Sequence, residues 1–302
     1  MQAAAELGYQ LPERAPGNRD LSTIGVLVKR HPNQGIPIDP FYGAVFSGAE
    51  QLCQLHGINL MYASVDVDLF SQLVEWPPLV RETQIEGWLI LGVGLSRCGD
   101  ELETIFGTNV VLVDAYPSTQ LFDNIITDNQ HGVLLAMNYL IKQGHHHIGL
   151  IGSTPESYPS VAERRAAYFE ALKRAGIEHN YVEDATLHAP EAYEATRRML
   201  VNEPQVTAIF ACNDDTAMGV LRAAHELGRR VPDDLSVVGF DDLELASETI
   251  PPLTTVQVDK SLMGALAVRQ LIDRRQNPNR VPLTIRLGTR LVVRQSVRAL
   301  TG

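Results

Sequence analysis

The sequence predicts an α/β protein made of two doubly wound parallel-sheet lobes. Three observations carry this: short, uniformly apolar runs, amphipathic stretches between them, and glycines where those stretches end. Apolar runs fall at 24–28, 58–63, 87–91, 110–113, 148–151, 208–211 and 237–240, four to six residues each and rich in Val and Ile. They do not alternate with polar residues, as befits strands covered on both faces. Roughly five strands precede Asn129 and at least four follow. That is many for one open sheet and suits two lobes side by side.

Residues 1–20 stand apart. Residues 2–7 fit a short helix closed by Gly8, and 9–20, with Pro12, Pro16 and Gly17, read as a linker. The first strand leads to a helix opened by Pro40, Phe41 and Tyr42 that ends at Gly57. Leu134, Met137, Leu140 and Ile141 share one helical face before Gly144. The strand at 148–151 leads to a helix opened by Arg164 and Arg165, apolar at Tyr168, Ala171 and Leu172, ending at Gly176. Ala217, Val220, Leu221 and Ala224 form the face of a helix ending at Gly228. Glycine tolerates the left-handed turn that closes a helix, and each of these glycines feeds a strand or an apolar residue. Strand and helix alternate on short connections, so the crossovers are right-handed.

Charge and cysteine content exclude several classes. The formal charge is −11 and the pI about 5.3, which argues against a general nucleic-acid or anionic-membrane binder. Three cysteines without a CxxC pair give no disulfide framework and point to a reducing compartment. Residues 1–17 lack the apolar core of a secretory signal, and no apolar run approaches the roughly 18 residues of a membrane span. The chain reads as soluble and cytoplasmic, with no membrane partner.

Polar residues gather just past the apolar runs: Asp114, Ala115 and Tyr116 after 110–113, then Cys212, Asn213, Asp214 and Asp215 after 208–211, and Asp241 and Asp242 after 237–240. Helix capping explains such residues without any ligand, Asp128, Asp215 and Asp242 above all. The functional alternative is a set of carboxylates, an amide and a guanidinium converging on one molecule between the lobes, because ligands of such sheets bind at strand carboxyl ends. Aspartate accepts and arginine donates in the geometry of neighbouring sugar hydroxyls, and Phe41, Tyr42 or Tyr116 would cover an apolar ring face.

Motifs for chemistry are missing. Gly92-Val93-Gly94 follows a strand but lacks the third glycine of a dinucleotide loop, and no phosphate loop, GxSxG elbow or HExxH occurs. His145, His146 and His147 read as a solvated loop, and Cys212 as a small buried residue. An α/β enzyme using Asp114, Asp241 and Arg164 would have no nucleophile, metal set or cofactor beside them. No catalytic residue, metal or cofactor is expected.

The run from Val231 through Val237-Val238-Gly239-Phe240-Asp241-Asp242, followed by Pro251-Pro252-Leu253-Thr254-Thr255, resembles the lactose-repressor/galactose-repressor family of bacterial transcription regulators. Ala208-Ile209-Phe210-Ala211-Cys212-Asn213-Asp214, Gly144-His145-His146-His147-Ile148-Gly149 and Leu291-Val292-Val293-Arg294-Gln295-Ser296 match further family segments. The likeness runs from about Leu21 to Val297. Residues 2–9 are similar to the end of the family's helix-turn-helix headpiece and 11–19 to its hinge, so the chain is expected to be an effector-sensing core without the preceding headpiece helices.

The resemblance implies a type I periplasmic-binding-protein-like core with three crossovers, near Thr127, Gln257 and 281–284. It divides the chain into a headpiece remnant and hinge at 1–20, an N-terminal lobe at 21–126 plus 258–282, and a C-terminal lobe at 127–257 plus 283–302. It implies a homodimer, a small polar effector such as a sugar, and operator DNA bound through the headpiece. Carried over by motif, the effector contacts are Phe41, Asp114, Arg164, Asn213 and Asp241, with Tyr42 and Tyr116 beside them. Loss of Asp241 or Arg164 is expected to weaken binding and leave the fold intact. The chain departs from the family at Ala167, at Leu187-His188 where an aromatic is common, and in the long loop at 31–39, expected to cover part of the cleft. The alternative is an extracytoplasmic solute receptor of a sugar transporter.

Overall fold

The computed structural model describes residues 21–30, 39–68, 71–96, 98, 101–117 and 121–300. The expected remnant and linker at 1–20, and all but Asp39 of the expected cover at 31–39, lie outside them. The chain lays down β1 (Thr23–Arg30), α1 (Pro40–Leu55), β2 (Asn59–Asp66), β3 (Gly87–Leu91), α2 (Glu101–Phe106), β4 (Val110–Val113) and β5 (Asp123–Thr127). Then come α3 (Asn129–Lys142), β6 (Ile148–Ile151), α4 (Pro159–Arg174), β7 (Tyr181–Glu183), α5 (Ala189–Asn202), β8 (Ala208–Ala211) and α6 (Asp214–Glu226). β9 (Ser236–Asp241), α7 (Glu244–Glu248), β10 (Thr254–Gln257), α8 (Lys260–Gln276), β11 (Thr284–Leu287) and β12 (Arg290–Val292) complete it.

Two six-stranded sheets result, ordered β11-β5-β4-β3-β1-β2 and β12-β10-β9-β8-β6-β7. Every pairing is parallel except β10 with β12. The uniformly apolar runs are the buried strands: β3, β4, β6 and β8 have no exposed residue. β2 is an edge strand that continues past the expected run, with Tyr62 out in solvent. The four expected glycine stops close their helices. Gly57, Gly144, Gly176 and Gly228 have φ between 64° and 90°. The residue after each donates its N–H five residues back: Ile58 to Cys53, His145 to Leu140, Ile177 to Leu172 and Arg229 to Ala224.

The chain passes between sheets three times: from β5 into α3, from β10 into α8, and from β11 into β12. The third passage corrects the expectation of a crossing at 281–284 and of a C-terminal lobe beginning at 283. Thr284–Leu287 pairs with Asn124–Thr127 of β5, and the chain leaves the first sheet at Gly288 and Thr289. Buried charge fixes this edge. Asp123 is fully buried and accepts from Arg274 Nε and Nη2 (3.1 and 2.8 Å), Arg280 Nη1 and Nη2 (2.8 and 2.7 Å) and the Leu283 N–H (2.8 Å). One carboxylate thus welds α8, the following turn and β11 onto β5.

Asp123→Ala would leave two guanidiniums facing each other without an anion. It is expected to lower the unfolding free energy by about 3–5 kcal/mol, read by urea denaturation. Glu226→Ala, which removes the exposed acceptor of Arg222 and of the Tyr193 hydroxyl, should leave the urea midpoint almost unchanged.

Candidate functional site

β4 and β9 hold the same position, third from the end, in their two sheets. Asp114 follows β4 and Asp241 closes β9, and both sit in the left-handed region, with φ of 47° and 104°. Asp242 joins them at 52°. Such backbone costs a side-chain-bearing residue about 1–3 kcal/mol and persists only where the surroundings hold it.

The surroundings of Asp114 come from both lobes. Its carboxylate accepts from Tyr42 Oη (2.7 Å), and its carbonyl accepts from Tyr158 Oη (2.7 Å), which lies just before α4 in the second lobe. Tyr158 Oη also reaches the Val93 carbonyl at 3.4 Å. Asp39 caps α1, accepting from the Phe41 N–H, and so aims Phe41 and Tyr42 inward with their rings edge-on, centroids 5.1 Å apart. Gly92 leaves the room: a Cβ there would lie 2.3 Å from Tyr42 Oη. Tyr116 packs edge-on to Tyr158, and its hydroxyl is buried without a hydrogen-bond partner.

Arg164 organises the opposite wall. It lies in the second turn of α4, not at its opening as the sequence suggests, because Pro159 starts the helix five residues earlier. From there the guanidinium donates to Asn129 Oδ1 (2.9 Å), the Cys212 carbonyl (2.6 Å) and Asp241 Oδ1 (3.3 Å), and lies 3.9 Å from the Phe240 ring centroid. Asn213 caps α6 through Oδ1, accepting from the Thr216 N–H, which leaves its NH2 group to donate elsewhere. Lys260 donates to the carbonyls of Asp241, Asp242 and Val258 and so pins the strained turn to the start of α8.

Phe41, Tyr42, Asp114, Arg164, Asn213 and Asp241 are each 3–9% exposed, so the two walls are closed on one another. Desolvation pushes Asp241 up to about 6 despite Arg164 and Lys260, and raises Asp114 despite Tyr42 and Lys29. Asp214, behind Asp241, accepts from Thr255 Oγ1 (2.6 Å) and the Leu243 N–H (2.7 Å), and burial beside Asp241 lifts it to about 8.

The structure thus brings the seven residues named from the sequence to the facing strand ends, and places Lys29, Asp39, Asn129, Tyr158 and Lys260 beside them. Lys29 had a signal: it is the first polar residue after the run at 24–28, in the position that Asp114 and Asp241 hold on their strands. Tyr158 and Lys260 are joined to the site only by the fold. The bland readings hold elsewhere. Asp128 caps α3 and Asp215 accepts from the Ala189 N–H that starts α5, whereas Asp242 caps no helix and is held by Gln257 and Arg294. Cys212 is buried, its thiol pushed up to about 12 by desolvation. The histidine loop is corrected: His145 is buried, bonded to Thr207 Oγ1 and the Arg298 carbonyl, because the C-terminal segment lies over it. Among the described residues no group of three His, Cys, Asp or Glu could hold a metal, and no helix is long and apolar enough to cross a membrane.

Two sheets joined by three passages, with strand ends closing on one cleft, define a periplasmic-binding-protein-like core. A family model for the periplasmic binding protein-like domain matches residues 137–297. The ribose operon repressor of Haemophilus influenzae is 33% identical over 99% of this chain and 89% of its own length. A transcriptional regulator CelR–cellobiose complex superposes with a TM-score of 0.78 at 27% identity, over 98% of this chain and 88% of that one. A dimeric Lac repressor with an 11-residue C-terminal deletion gives 0.77 at 25% identity, over 92% and 100%. The chain belongs to the lactose-repressor/galactose-repressor family and is the effector-binding core of a transcription regulator, not an enzyme. The transporter-receptor alternative falls with that assignment.

Asp214 gives a pH prediction. Its carboxyl is held far above its unfolded value near 3.8, so the folded chain keeps a proton that the unfolded chain releases. Stability is therefore lost as pH rises from about 4 through about 8. Wild type should lose stability relative to Asp214→Asn across that window and run parallel to it above, in urea titrations at stepped pH.

Proposed function

We propose that the cleft binds an uncharged polyhydroxylated molecule, a sugar, and that Phe41, Tyr42, Asp114, Tyr116, Arg164, Asn213 and Asp241 contact it. One observation carries this: two buried carboxylates at equivalent strand ends, one from each lobe, with a guanidinium that has donors to spare. A hydroxyl can donate to aspartate while it accepts from arginine or an amide, so a polyol satisfies both walls at once. An added phosphate would meet carboxylates from both sides. The CelR relative bound cellobiose, which supports the class and leaves the particular sugar open.

The lobes are 21–127 plus 258–287, and 128–257 plus 288–300, joined by three crossovers. A ligand that touches both favours their closed relation only by the margin with which it prefers that state. That closure is the signal passed to a DNA-binding headpiece on operator DNA. The chain works as a homodimer in the cytoplasm, a reading supported by the dimeric Lac repressor it superposes on.

A thermal-shift screen of sugars, sugar phosphates and nucleosides tests the class, since a ligand that binds only the folded chain raises its Tm. With a stabilising sugar, Asp241→Asn should weaken binding by about 2–4 kcal/mol, measured by calorimetry. Arg164→Ala departs from the expectation that it spares the fold. It would orphan Asp241 and the Cys212 carbonyl, so it should also cost about 3–5 kcal/mol of stability. Unchanged sugar affinity in Asp241→Asn and Asp114→Asn would falsify the site.

A further inference from the structure

One cation in the cleft has no task in the site described above. Lys29 is the next-to-last residue of β1. Its ammonium lies between one ring from each lobe, 5.0 Å from the centroid of Tyr42 and 5.4 Å from that of Tyr158. Among the described residues, no carboxylate comes within ion-pair distance of it and no acceptor takes its protons. Asp39, Asp114 and Asp241 act on it only through space, as does Arg164 with the opposite sign. Desolvation outweighs the three carboxylates and holds its pKa below that of an ordinary lysine.

Lys29 is half-buried, and an ammonium partly withdrawn from water with no acceptor for its protons is a cost to the fold. Surface lysines avoid it by reaching into solvent, and buried structural ones by pairing. Lys29 keeps only part of its contact with water and, among the described residues, pairs with none of the four charged groups around it. Its ammonium stands over one ring from each wall of the cleft, and aromatic faces steady the charge without using up a donor.

We propose that Lys29 is a specificity-determining residue: its ammonium donates to an oxygen of the uncharged sugar that Asp114 and Asp241 hold, and turns away sugars that carry a cationic amine at that place. The inference rests on the sugar reading of the cleft. Without Lys29, the carboxylates of Asp39 and Asp114 would face the ligand with no cation beside them, since Arg164 and Lys260 both serve Asp241, and would favour an amino sugar. With it, an incoming ammonium meets a second cation at short range, whereas a hydroxyl can accept from Lys29 and donate to a carboxylate together.

The test uses Lys29→Met in the full chain, which keeps the aliphatic stem over the two rings. The probe is whichever of D-ribose, D-glucose, D-galactose and cellobiose stabilises wild type most, with its monoamino-deoxy analogues. Lys29→Met should bind the neutral probe about 10–100-fold more weakly, as loss of a charged hydrogen bond does. Its discrimination against at least one amino analogue should fall, and its ligand-free Tm should be equal or higher. Wild-type affinity in Lys29→Met while Asp241→Asn has lost binding would overturn the role of Lys29 and leave the sugar site standing. A ligand-free Tm several degrees lower would assign Lys29 to the fold and overturn the proposal as well. If none of the four sugars stabilises wild type, the sugar reading falls and this inference with it.

Discussion

The second wall of the cleft depends on the guanidinium of Arg164. Four parts of the chain meet there: α4, which carries it, the start of α3 through Asn129, the end of β8 through the Cys212 carbonyl, and the end of β9 through Asp241 and the Phe240 ring. Burying a cation costs several kcal/mol unless its donors are used and its charge is balanced. Arg164 meets that condition only when all four parts are in place, so the arrangement is selected as a whole. Lysine could not replace it, because a point charge lacks the planar fork that reaches two acceptors and stacks on a ring.

The first wall works by a different means. Asp114 is held by tyrosine hydroxyls, neutral donors that leave its charge unbalanced. One wall therefore carries a carboxylate paired with a guanidinium and the other a buried carboxylate with no ion pair among the described residues, with Lys29 between them. Strain runs the same way on both walls, since Asp114 and Asp241 are held in the left-handed region. Tyr158 and Lys260 supply the bonds that hold those turns, and each comes from an element on the far side of a crossing.

Much of this was legible in the sequence, and the reason is local. Buried parallel strands are apolar throughout, glycine closes helices, and polar residues after such strands face the ligand side. What escaped was long-range. β5 begins Asp-Asn and has no place among the apolar runs, yet it is buried because Arg274 and Arg280, about 150 residues later, neutralise Asp123. β11 follows β5 into the first sheet for the same reason. His145 is buried by a carbonyl 153 residues away. Lys29 escaped although its signal was local: it directly follows the apolar run of β1, as Asp114 follows that of β4.

The order of the strands sets the mechanics of the molecule. β5 and β11 are neighbours at one margin of the first sheet, and β10 and β12 are neighbours at the matching margin of the second. All three connections therefore leave and enter along the same side, like the knuckles of a door. Three short straps in a row resist sliding and twisting, since either would stretch at least one of them, but they bend together about a common line. The lobes have one soft direction, and it opens the mouth of the cleft on the side away from the straps.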